Sequence, residues 1–185
     1  MAVVDLRAET RAFSRARLRE LALDTARHVV LERGWSAVRM GSIAESIGIS
    51  RQSLHAEFGT KDDLGVALVQ RETSIFFDGV QARLAQHPGD LSGAVQEASR
   101  YILDVVRDNP LLQTILTRSP DHSDLSLLPL ITTRGDPLIN RGMEVFGGWV
   151  SAQWPSLDPA DTQLMVESVV RLSPDLAQFS VQVRG

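Results

Sequence analysis

Apolar residues recur along most of this chain at intervals of three and four, the spacing of one face of an α-helix. From Arg15 to Arg33 the row is Leu18, Leu21, Ala22, Thr25, Ala26, Val29 and Val30, and Arg33-Gly34 signals its stop. Met40, Ile43, Ala44 and Ile47 give a short second helix ending at Gly48. Ser50 is placed to cap a third, also short, in which Leu54 and Phe58 face inward. Thr60, followed by Asp62 and Asp63, opens a long fourth helix. Its inward positions are Leu64, Ala67, Leu68, Ile75, Phe76, Val80 and Leu84, and it breaks at "QHPGD", 86–90. No stretch alternates in the manner of a strand.

The second half continues the pattern. Leu91, Ala94, Val95, Ala98, Tyr101, Ile102, Val105 and Val106 form one stripe. Asn109-Pro110 reads as a cap and first position of a following helix. "RSPDHSD", 118–124, reads as a loop, and 125–131 as a short apolar segment containing Pro129. Helices are predicted at about 136–153 and 159–172, the second capped by Asp158 and stopped by Pro174, with no clear stripe in the tail "PDLAQFSVQVRG". The expectation is an all-α chain of about nine helices, with a three-helix head joined by a long fourth helix to a helical body.

Composition narrows the possible functions. The chain has 185 residues, 43% hydrophobic and 23% charged, which suits an ordered one- or two-domain protein. It has no cysteine, so disulfides and cysteine-zinc sites are excluded. No apolar run is long enough to span a membrane, and the start lacks the core of a signal peptide, so the expected location is the cytoplasm. Net charge is −4, yet residues 7–51 hold nine arginines against five acids. That asymmetry fits either a basic binding module on an acidic body or a solvated face.

Catalytic chemistry finds little support. The four histidines have no ligand or triad spacing. Asp121, His122, Ser123 and Asp124 are adjacent on a loop, where they would not face one another as a triad must. Phosphate-loop, dinucleotide, zinc-protease and serine-elbow motifs are absent. The chain is expected to be neither an enzyme nor a holder of metal or cofactor.

Helix, glycine turn and polar-faced helix is the arrangement of a helix-turn-helix, here 38–57. Leu54 anchors the second helix, leaving Ser50, Arg51, Gln52, Ser53 and His55 outward. Arginine can bind guanine and glutamine adenine through paired hydrogen bonds, and serine suits phosphate or base. Short polar helices after a glycine turn also occur in helical proteins that bind no DNA.

The wider stretch resembles the N-terminal domain of the TetR family of bacterial transcriptional repressors. The resemblance covers about residues 15–75. It is carried by A-x5-E-R-G (Ala26 to Gly34), Trp35, I-A-x3-G-I-S (Ile43 to Ser50), Leu54, Phe58 and K-D-D-L (Lys61 to Leu64). It implies a head at 15–75 and, at 76–185, an effector-binding and dimerising body. It also implies double-stranded DNA as partner, homodimerisation on a palindromic operator and release by a small apolar effector. Arg39 and Lys61 join the DNA-binding set as backbone contacts.

Phe76, Tyr101, Leu112 and Trp149 are candidate pocket residues, with Phe77 and Leu103 beside them. The expected dimer face comprises Met143, Phe146, Gly147, Trp149, Val150, Val166, Val169 and Val170. This chain departs from the family at three positions. Val38 stands where threonine is common, His55 where an aromatic meets phosphate, and Glu57 where histidine or tyrosine is usual. Glu57 is expected to point along the protein. The competing reading is a helical protein-interaction module that has lost DNA binding.

Overall fold

The computed structural model describes residues 6–112 and 137–182, and every regular element among them is helical. Helix α1 spans Leu6–Arg33 and is followed by a 3-10 turn, Trp35–Ala37. Then come α2 (Met40–Ser46), α3 (Arg51–Phe58), α4 (Lys61–Ala85), α5 (Leu91–Asp108), α6 (Pro137–Gln153) and α7 (Pro159–Gln182). Pro110–Leu112 are also helical. The expected loop at 118–124 and the apolar segment at 125–131 lie outside the described residues.

Two compact units divide the chain at Leu68 and Val69, so α4 contributes to both. In the first, Ala22, Ala26 and Val30 of α1 are fully buried, alongside Trp35, Val38, Ile43, Ala44, Leu54, Phe58, Leu64 and Leu68. α1 packs on the 3-10 turn and α2, and α2 packs on α3. In the second unit, α6 and α5 both pack on α7. Phe76, Phe77, Val80, Leu84, Ala94, Ala98, Val106, Trp149 and Val150 are buried there.

Capping sets the helix boundaries. Ser50 Oγ accepts from Ser53 N at 3.0 Å. Thr60 and Asp63 bond reciprocally, Asp63 N to Thr60 Oγ1 at 3.1 Å and Thr60 N to Asp63 Oδ2 at 2.8 Å. This exchange satisfies two amides that the first turn of α4 leaves open. Asp90 caps α5. Asn109 Oδ1 accepts from the amides of Leu111 and Leu112. Asp158 Oδ1 accepts from Ala160 N at 2.8 Å.

Three details differ from the sequence expectation. α1 begins at Leu6, not Arg15. Residues 6–14 hold no glycine or proline, and Leu6, Arg7, Ala8, Glu9, Arg11 and Ala12 are all strong helix formers, so propensity carries the helix beyond the point where its apolar row starts. Ile75 is 57% exposed rather than inward. The buried row of α4 instead steps by four through Leu64, Leu68, Glu72, Phe76, Val80 and Leu84, and Ile75 falls beside it. Finally, α7 runs past Pro174 to Gln182. An interior proline removes one hydrogen bond and strains the helix, but does not forbid its continuation.

Glu72 is a core position that the apolar pattern could not reveal. It is buried with Arg71 Nη2 at 3.5 Å and receives Asn109 Nδ2 at 3.3 Å. Asn109 therefore caps one helix through its oxygen and holds α4 through its nitrogen.

Candidate nucleic-acid interface

The turn between α2 and α3 depends on Gly48. Its φ is +74°, the left-handed region that other residues enter only with strain. Ile49 N then bonds Ala44 O at 2.9 Å, closing the turn. Buried Leu54 and Phe58 hold α3 against the unit's core. Ser50, Arg51, Gln52 and Ser53 are all exposed. These four expected site residues lie together on one short stretch.

Some of their hydrogen-bonding capacity is already engaged. Ser50 Oγ lies 2.8 Å from Ser53 Oγ as well as accepting from its amide. His55 Nδ1 lies 2.6 Å from Gly59 O, which assigns the proton to that nitrogen. Its Nε2 is then an acceptor, and Arg51 Nε donates to it at 3.4 Å. His55 thus closes the end of α3 and steadies Arg51. Gln52 lies beside this pair, exposed to solvent.

Arg39 and Lys61 adjoin the same head. Arg39 is the exposed residue preceding α2, and its Nη1 donates to the carbonyls of Ser36 and Val38. Val38 is fully buried, so this position serves the core, and α2 starts without a side-chain cap. Lys61 Nζ donates to Trp35 O at 2.8 Å and sits 4.8 Å from the centre of the Trp35 ring. Burial pulls the Lys61 ammonium below its ordinary pKa, nearby Arg39 adds to that, and Asp62 opposes it.

Glu57 does point along the protein. Arg15 Nε donates to Glu57 Oε2 at 2.5 Å and Arg19 Nη1 to Oε1 at 3.3 Å. The Arg19 guanidinium also lies 4.8 Å from the centre of the Phe58 ring. The acid that would repel a phosphate is thereby neutralised by α1. Reading α1 as beginning at Arg15 hid the row to which these arginines belong. Arg7, Arg11, Arg15 and Arg19 recur every fourth residue, and that spacing was the available signal.

In the second unit, Phe76 and Tyr101 stack at 6.2 Å and Phe76 meets Phe77 edge-on at 5.0 Å. The Arg83 guanidinium lies 4.8 Å from the centre of the Tyr101 ring. Leu112 is buried. Trp149 stacks on Phe146 at 6.0 Å and meets Trp154 edge-on at 5.5 Å. Its indole N–H is buried without a hydrogen-bond partner among the described residues.

Of the residues expected at a dimer face, Phe146, Trp149, Val150 and Val166 are already buried within one chain. A Cβ on Gly147 would make ordinary contact with Val166 of α7, whereas one on Gly148 would meet nothing within 4 Å. Met143, Val169 and Val170 are half-buried, and Val170 lies against Gly142. Leu164 of α7, which the sequence reading did not single out, is 68% exposed.

Short helix, glycine turn and outward polar helix on a buried anchor make the first unit a helix-turn-helix head. The family pattern described as "Bacterial regulatory proteins, tetR family" matches residues 22–68. That described as "Bacterial Tetracyclin repressor, C-terminal domain" matches 90–174. The HTH-type transcriptional regulator AlkX of Mycobacterium tuberculosis (strain ATCC 25618 / H37Rv) is 32% identical over 161 residues, covering 86% of this chain and 74% of that protein. The crystal structure of the TetR family repressor AlkX from Dietzia sp. strain DQ12-45-1b, implicated in biodegradation of n-alkanes, is 28% identical with a TM-score of 0.61. That match covers 85% of this chain and 83% of the other. The repressor QsdR of R. erythropolis shares the fold at 15% identity and a TM-score of 0.53, over 89% and 94% of the two chains. The chain belongs to the TetR family of transcriptional regulators. Among its described residues no helix is long and apolar enough to cross a membrane.

Proposed function

We propose that this protein is a homodimeric repressor that reads a palindromic operator through α3 and leaves it when a small apolar effector occupies the body. The observation that carries the reading is the exposed row Ser50 to Ser53 on a helix whose apolar residues, Leu54 and Phe58, are both buried. Arg51 and Gln52 are the base readers, Ser50 and Ser53 shape the helix start, and His55 closes the helix end and steadies Arg51. Arg39 and Lys61 are the backbone contacts. The similarity to AlkX, a repressor implicated in biodegradation of n-alkanes, supports both repression and an apolar effector.

The effector site would draw on Phe76, Tyr101, Leu112 and Trp149, whose buried indole N–H has no hydrogen-bond partner among the described residues. Two copies would meet through α6 and α7, with Leu164, Met143, Gly148 and Val169 as the outward positions. Symmetry of the dimer then sets the half-sites one helical turn apart. Mobility-shift experiments with fragments flanking the protein's own gene test the reading. Salt-sensitive retardation of one fragment at low protein concentration supports it. No retardation of any fragment would favour a helical protein-interaction module instead.

A further inference from the structure

The first residue of the reading helix is held from behind. Arg51 begins α3, the end from which a helix lying in the major groove reaches base edges. His55 stands one turn further on, at the spacing that puts both side chains on one face. The imidazole is itself fixed. Gly59 N donates to His55 O at 2.8 Å and His55 Nδ1 donates to Gly59 O at 2.6 Å, so the two residues bond each other twice. Gly59 leads directly into the start of α4, where Asp63 Oδ2 accepts from both the amide and the hydroxyl of Thr60. With the proton on Nδ1, Nε2 offers its lone pair to Arg51 Nε at 3.4 Å.

That tether has a chemical consequence. It uses Nε, the guanidinium nitrogen with a single hydrogen. No described hydrogen bond or ion pair engages Nη1 or Nη2 of Arg51, and the side chain is exposed. Paired N–H donors are therefore left at its outer end. Guanine presents two acceptors, N7 and O6, side by side in the major groove, whereas adenine sets a donor beside its acceptor. The fork left to Arg51 matches guanine.

We propose that the junction of α3 and α4 aims Arg51 at one guanine in each operator half-site, with His55 as the positioning residue. His55 acts through Arg51 and needs no base contact of its own. The inference rests on the repressor reading above, because it requires a duplex on α3. It also gives a reason for an imidazole at position 55. The ring that joins Gly59 to Arg51 needs both a donor and an acceptor, and a phenyl ring has neither.

The test begins with duplexes selected by the wild-type protein from a random-sequence pool. Each guanine of the selected site is replaced in turn by 7-deazaguanine, which lacks the N7 acceptor but still pairs with cytosine. Affinities are measured for wild type, R51A, H55F, H55Q and R51A/H55F. At one guanine per half-site, loss of N7 should cost wild type about 5-fold or more and cost R51A nothing. R51A should lose roughly 5- to 150-fold of the discrimination between selected and random duplexes. H55F should lose roughly 2- to 12-fold of it, the worth of one hydrogen bond, while binding random duplexes as wild type does. H55Q keeps a donor and an acceptor and should restore the discrimination. In the R51A background, H55F should change nothing further. The inference is overturned, with the repressor reading left standing, if every 7-deazaguanine affects wild type and R51A alike. It is equally overturned if H55F discriminates as well as wild type, if H55Q does no better than H55F, or if H55F loses as much again in the R51A background. A wild type that binds no duplex removes the repressor reading and this inference together.

Discussion

Arg19 donates to Glu57 at 3.3 Å while its guanidinium lies over the neighbouring Phe58 ring. One arginine of α1 thus grips both the acid and the apolar anchor at the end of α3. Glu57→Ala should destabilise the head by about 1 kcal/mol, the range of a partly buried, charge-assisted pair. Arg15→Ala should cost only a few tenths of a kcal/mol, because that side chain is largely exposed and screened. Urea unfolding of the two variants checks the ranking, and a larger cost for Arg15→Ala would contradict the clamp as described.

Gly79 and Gly48 are required for different reasons. A Cβ on Gly79 would fall 1.9 Å from the Tyr101 hydroxyl oxygen and 2.3 Å from its Cζ. Tyr101 cannot retreat freely, being stacked on Phe76 and covered by Arg83. Gly79→Ala should therefore cost about 1–3 kcal/mol by overpacking. In a Tyr101→Ala background the same change should become favourable by roughly 1 kcal/mol through helix propensity. At Gly48 a Cβ meets nothing, so Gly48→Ala should cost only the backbone strain, about 1–2 kcal/mol. A double-mutant cycle at 79 and 101, set against the single change at 48, separates the two mechanisms.

Arg51 and Lys61 should fail differently when removed. Arg51 is exposed and contacts only His55 among the described hydrogen bonds, so Arg51→Ala should leave stability unchanged. It should cost about 1–3 kcal/mol of operator affinity and relax the preference for one base. Lys61→Ala should weaken binding to all duplexes alike. It should also lower the head's stability by about 1 kcal/mol, since the charged bond to Trp35 O is lost. Equal behaviour of the two variants in both measurements would undo this division.

The start of α4 should be sensitive to acid. Hydrogen bonds from the Thr60 hydroxyl and then the Thr60 amide hold the Asp63 carboxyl below its ordinary pKa. A carboxylate whose folded pKa is depressed contributes stability that is complete above the ordinary carboxylate range. That contribution disappears as pH falls through the folded value. Stability of the head should therefore decline on acidification below the ordinary carboxylate range. Asp63→Asn should make the acid limb shallower, and pH-dependent urea unfolding of the two proteins shows whether it does.

What was readable in the sequence follows from which forces act locally. The boundaries of α3, the caps at Ser50, Thr60, Asn109 and Asp158, and the burial of Leu54 and Phe58 depend on neighbours within a few residues. They could be read from spacing alone. Glu72 could not, because its partner Asn109 is far along the chain and an acid in a buried row breaks the apolar pattern. The partners of Glu57 were hidden for the same reason, Arg15 lying 42 residues from it in the chain. The helical run of α7 beyond Pro174 went against a strong local rule. Among the candidate site residues, Ser50 to Ser53 were legible as a group. The dimer residues were not, because periodicity marks a buried face without saying whether the same chain or a second copy buries it.

Ser50 has a consequence for how such a reader changes over generations. Its hydroxyl is committed to Ser53, so exchange at position 50 puts the first turn of α3 at risk. Gln52 appears in none of the described hydrogen bonds, and Arg51 holds only a long one to His55. On the proposed reading of DNA through α3, new operators can be explored at 51 and 52 with little risk to folding, whereas position 50 is restricted to the few residues that can cap. Drift in specificity is thereby channelled to two adjacent sites.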